Sequence, residues 1–90
     1  MSRAESPRFT TADLYLVAAL TSQGHNPERL VPDDRRTLFV FADSGELRDL
    51  VAQYYGGSLQ VDALAFAEAV RRSKAAAINI AGRGGTGNDR

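Results

Sequence analysis

Thr37-Leu38-Phe39-Val40-Phe41-Ala42-Asp43-Ser44-Gly45-Glu46-Leu47 is the stretch whose reading decides the fold. Its first six residues are aromatic, aliphatic or β-branched, and the next four are polar or glycine, so a strand runs directly into a capped helix. Side chains alternate across a strand, which sets Phe39 and Phe41 on one face and Leu38, Val40 and Ala42 on the other. Both faces are apolar. The Phe face is expected to meet the helices, whereas the Leu38/Val40 face has no clear cover within the chain.

Moving toward the C-terminus, Asp43 and Glu46 have the D-x-x-E spacing of a capping pair. Leu47, Leu50, Val51 and Tyr54 then recur at i, i+3, i+4 and i+7, a helical period, and Gly56-Gly57 stops the helix. Ser58 to Val61 reads either as a third strand or as an extended connection. Asp62 caps a third helix, in which Phe66, Val70 and Ala77 line one side with Leu64, Ala67 and Ile78 around it. That helix is expected to end near Ala81-Gly82, leaving residues 82–90 as a flexible Gly-rich tail.

On the other side of the opening stretch, Arg35 to Ala42 is the return strand of a hairpin that turns at Asp33-Asp34. The outgoing strand is short, Leu30-Val31-Pro32, and Pro32 confines it to an edge or a strand end. Further upstream, Phe9-Thr10-Thr11-Ala12-Asp13-Leu14 reads as a helix start. Thr10 is the expected N-cap, with Asp13 at the third helical position and Phe9 stapled onto Leu14. Leu14, Leu16, Val17, Ala18 and Leu20 give a broad apolar stripe, and Gly24 stands where a helix ends. Residues 1–8 are expected to form a disordered leader. The predicted order is α-β-β-α-(β)-α: one α+β domain over residues 9–81, a β-hairpin packed on three helices.

Ninety residues make one small domain, and a 43% hydrophobic content is that of a globular protein. There is no cysteine and one histidine, His25, which excludes disulfides, thiolate sites and His-rich metal sites. No apolar run approaches the ~18–20 residues of a membrane span, and the polar N-terminus lacks a secretory segment; the cytoplasm is the expected location. Net charge is zero but uneven: residues 43–68 sum to −4 and residues 69–90 to +4. Such a division suits self-association, or a nucleic acid on the basic end.

Little here resembles catalytic machinery. His25 follows a helix end with no serine or cysteine nucleophile motif, and a cation is favoured at that place by the helix dipole alone. Asp13, Asp43, Glu46 and Asp62 are occupied as caps, and Asp33-Asp34 offers two carboxylates where an oxygen metal site needs six or more ligands. Glycines at 82–87 have nucleotide-loop spacing but follow a helix instead of preceding one, so that reading fails. No cofactor or small-molecule substrate is implied. Arg35 and Arg36 at the hairpin, with Arg71, Arg72 and Lys74 on the last helix, are candidate nucleic-acid contacts. Glu68 competes for the helix pair, three and four residues before Arg71 and Arg72. Tyr54 continues the apolar stripe of its helix, while Tyr55, ~100° away, is a candidate interface anchor.

The aromatic, aliphatic and glycine positions Phe9-Thr-Thr-Ala-Asp-Leu, Gly24-His25, Thr37-Leu-Phe-Val-Phe-Ala-Asp43, Leu50-Val-Ala-Gln-Tyr-Tyr-Gly56 and Val61-Asp-Ala-Leu-Ala-Phe, with Lys74, resemble a family of short bacterial and phage proteins, a domain of unknown function. The resemblance spans about residues 9–78 and implies a small accessory protein of the mobile-element kind, with no catalytic residue to carry over. The sequence therefore leads to a non-enzymatic module that self-associates, as a dimer, through Leu38, Val40 and Tyr55. A DNA- or RNA-binding accessory factor is the alternative.

Overall fold

The computed structural model describes residues 7–86, so leader residues 1–6 and tail residues 87–90 lie outside it. Its elements are β1 (Arg8–Thr11), α1 (Leu14–Ser22), β2 (Arg29–Asp33), β3 (Arg36–Ala42), α2 (Gly45–Gly56) and α3 (Ala63–Thr86). The α+β class holds, but the order is β-α-β-β-α-α. The third strand is Arg8–Thr11, and Ser58 to Val61 is an extended connection. α3 also runs past the end near Ala81-Gly82 that the glycines suggest.

The misplaced strand has a local cause. Thr10 does not cap α1; it pairs with Val40 as part of β1. Asp13 is the cap, its Oδ1 accepting from the N–H groups of Tyr15 and Leu16 at 3.1 and 3.2 Å. A carboxylate satisfies those otherwise unpaired donors well, so Phe9 to Thr11 can extend, and β-branched and aromatic residues fit a strand. Thr11 Oγ1 accepts from the Asp13 N–H at 3.1 Å and closes the corner between β1 and α1.

The sheet is antiparallel in the order β1-β3-β2, which makes the opening stretch its central strand. Register sets Phe9 against Phe41, and Thr11 and Leu30 on either side of Phe39. These residues share the face that meets the helices. Phe39 and Phe41 join Leu16, Val17, Leu20 and Leu47 in one core, with Leu30, Leu50, Val51, Tyr54 and Ala77 packed around it. α1 is buried at every position from Leu16 to Leu20, because it lies on α3 and α2 as well as on the sheet side. The shortest extent of the molecule is 18 Å, room for one helical layer on one sheet.

The opposite sheet face carries Thr10, Arg29, Val31, Leu38 and Val40. Val40 is only 5% exposed, since its cross-strand partners Thr10 and Arg29 flank it. An ion pair between Arg8 Nε and Glu28 Oε1, at 3.1 Å, also links β1 to the residue that leads into β2. Pro32 sits on edge strand β2, where its missing N–H costs no ladder bond.

α2 is capped by Ser44, not Asp43: Ser44 Oγ accepts from the Leu47 N–H at 3.1 Å. Asp43 instead holds Arg48 through Nε and a terminal guanidinium nitrogen, at 2.6–2.9 Å. Gly57 closes α2 at φ +81°, left-handed backbone that glycine adopts without strain. Asp62 does cap α3, accepting from the Ala65 N–H at 2.8 Å.

Two outcomes follow. Phe41→Ala should cost about 3–5 kcal/mol in urea denaturation, whereas Leu38→Ala, partly buried on the open face, should cost less than about 2 kcal/mol. Equal losses would contradict the assigned faces. The Arg48 hydrogen bonds and charge hold the Asp43 carboxyl below its ordinary range. Its contribution to stability is therefore complete above about pH 4 and is lost as pH falls through the lower folded-state value. Asp43→Asn should flatten that acid limb of the stability profile; an unchanged limb would remove the pair from the account.

Candidate functional site

Of the three residues expected to mediate association, the structure brings two together. Leu38 and Val40 lie on the open sheet face, Leu38 partly buried and Val40 shielded. Tyr55 is elsewhere, near the end of α2, on the helical side. The residue is 63% exposed, and its hydroxyl donates to Asp13 Oδ2 at 3.1 Å. That bond ties the end of α2 to the cap of α1. Partial desolvation, then the Asp13 carboxylate, raise the phenol of Tyr55 above its ordinary value; Tyr54 is raised by the same causes and, weakly, by Tyr15. The two rings of Tyr54 and Tyr55 meet edge to face at 5.0 Å, and Tyr15 stacks on Phe66 at 6.4 Å.

The basic candidates are spread over more than one face. Arg35 occupies the hairpin turn and Arg36 opens β3, with Nε 3.3 Å from Asp33 Oδ2. Both line a depression shared with Leu14, Ala77 and Ile78. Arg72 borders a different one, with Val17, Leu30 and Ser73. Arg71, ~100° around the helix from Arg72, points away from the core, as does Lys74. The expected pairing of Glu68 with Arg71 or Arg72 is not formed: among the described residues Glu68, Arg71, Arg72 and Lys74 enter no ion pair. At three and four residues' spacing such a pair is worth only ~0.2–0.5 kcal/mol, and exposed side chains need not hold it.

His25 has a partner that spacing did not suggest, Glu46, with Nε2 3.7 Å from the carboxylate. Its backbone N–H donates to the Leu20 carbonyl at 2.9 Å, closing the α1 end. Three surface depressions among the described residues, of about 150, 210 and 270 Å³, fall below the ~300 Å³ at which small-molecule sites begin. Among the described residues no cluster of three His, Cys, Asp or Glu is placed to hold a metal ion. No helix among them is long and apolar enough to cross a membrane.

The most exposed aliphatic side chains are on α3. Leu64 is 67% and Ile78 70% exposed. The inner face of α3 is fixed by Ala69 and Ser73, both buried, and Arg71 stands ~200° from each, on the opposite side. Leu64, Arg71 and Ile78 recur every seven residues, which drifts only ~20° per step along a helix. They form one outward row. The seven-residue spacing was visible in the sequence, but Leu64 and Ile78 were expected around the core side, because a 3.6-residue period cannot assign a second apolar stripe to solvent by itself.

No curated protein and no solved structure matches the chain. Residues 6–79 match a family model described as a domain of unknown function, DUF5659. That span takes in all three strands, α1, α2 and most of α3. The chain belongs to the DUF5659 family.

Proposed function

We propose that this protein is a small, non-enzymatic interaction module that binds a second copy of itself, with the outward face of α3 as the contact surface. The observation that carries this reading is the exposure of Leu64 and Ile78 on one side of a helix whose other side is already packed. Isolated exposed apolar residues are ordinary; a row of them on a long helix, with uncommitted charges between, is a surface suited to a partner helix. The open sheet face supports association less well. Its central Val40 is shielded within the chain, and its edges are blunted by Pro32 on one side and by the four-residue length of β1 on the other. The reading agrees with an accessory protein of the bacterial or phage kind that the sequence resembles, acting in the cytoplasm.

One observation favours the nucleic-acid alternative: Arg35, Arg71, Arg72 and Lys74 are exposed and engage no carboxylate among the described residues. Their scatter over the hairpin and two sides of α3 favours it less.

Light scattering from micromolar to near-millimolar concentration decides between the readings. The wild-type protein should show a concentration-dependent dimer, Ile78→Glu should remain monomeric, and Leu38→Glu should change association little. A wild-type monomer throughout would overturn self-association. A low-salt gel shift that is lost on neutralising Arg71, Arg72 and Lys74 would install the alternative.

A further inference from the structure

We infer that the two copies pair their α3 helices antiparallel, about a two-fold axis passing beside Arg71, and that the two Arg71 side chains act as a built-in brake on association. This rests on the self-association reading and adds its geometry. Leu64 and Ile78 each lie seven residues from Arg71, and Ala67 and Ala75 each lie four. An antiparallel two-fold at Arg71 therefore sets Leu64 of each copy level with Ile78 of the other, and Ala67 level with Ala75. A two-fold contact must be self-complementary in this way, and alanine at those levels lets helix axes approach to the ~8 Å end of the packing range.

Charge selects the antiparallel sense over the parallel one. On α3 the exposed acid, Glu68, precedes the exposed bases Arg71, Arg72 and Lys74, and none of them enters an ion pair among the described residues. In an antiparallel pair about Arg71, Glu68 of each copy stands level with Lys74 of the other, each three residues from the axis. Parallel pairing would instead set Glu68 level with Glu68 and Lys74 level with Lys74. Helix dipoles add in the same direction.

One conflict remains, at the axis itself. Arg71 of each copy meets its own equivalent, and like charges in contact weaken an interface. The leucine and isoleucine contacts are thereby held to a reversible association that salt or a bound anion at the axis would strengthen.

The absence of cysteine makes disulfide trapping clean. Facing positions on close helices bring Cβ atoms within the ~3.5–4.5 Å that a disulfide needs. Under mild oxidation Arg71→Cys should cross-link to itself, and Leu64→Cys mixed with Ile78→Cys should give the heterodimer. Ile78→Cys alone should not cross-link, its two copies standing about 21 Å apart along the pair. Arg71→Leu should tighten the dimer by roughly tenfold, the equivalent of one relieved contact of like charges. Ile78→Cys cross-linking to itself would overturn the antiparallel sense. Wild-type dimers with no Arg71→Cys cross-link would overturn this geometry while leaving self-association standing; wild-type monomers would overturn both. A weaker Arg71→Leu dimer, with unchanged circular dichroism, would overturn the brake.

Discussion

Burial of α1 on every side is the constraint from which the remaining architecture follows. A helix apolar all round must be covered all round, and Leu16 to Leu20 leave no side for solvent. Phe39 and Phe41 supply one wall, Leu47 of α2 joins it at the edge, and α3 supplies the next. Chain length limits what else can be covered. α1 is nine residues and α3 twenty-four, about 14 and 36 Å; only part of α3, and only one side of it, is used in enclosing α1. The side of α3 left over carries the exposed Leu64 and Ile78.

Much of this was legible in the sequence because local signals agreed with one another. The hairpin, the inward Phe39 and Phe41, the Leu47/Leu50/Val51/Tyr54 stripe and the Asp62 cap each rest on a period or a cap with no close competitor. Where two local signals compete, neighbouring residues alone do not decide between them. Thr10 and Asp13 are both acceptable N-caps; the strand pairing of Phe9 with Phe41, which spans thirty-two residues of chain, decides for Asp13. Asp43 and Ser44 are adjacent cap candidates, and the reach of Arg48 back to Asp43 leaves Ser44 to cap. No local rule contains either long-range or side-chain competition.

The exposed apolar surface was less legible, for a related reason. The two-faced β3 suggested an uncovered Leu38/Val40 face, on the premise of a two-stranded hairpin. With β1 on the far side, β3 is the centre of three strands and its neighbours shield Val40. Tyr55 bonds to Asp13 through its hydroxyl while the residue stays 63% exposed. The two exposed aliphatic side chains Leu64 and Ile78 lie on α3, where alanine-rich sequence conceals two stripes in one helix: the inner one through Ala69 and Ser73, the outer one through Leu64 and Ile78.

The most direct measurement of this assembly is an isotope-filtered NOE spectrum on a mixture of labelled and unlabelled protein. Antiparallel association through α3 predicts intermolecular NOEs between the Leu64 methyls of one copy and the Ile78 methyls of the other. Intermolecular NOEs confined to Leu38 and Val31, or none in a sample shown to be dimeric by its rotational correlation time, would contradict it.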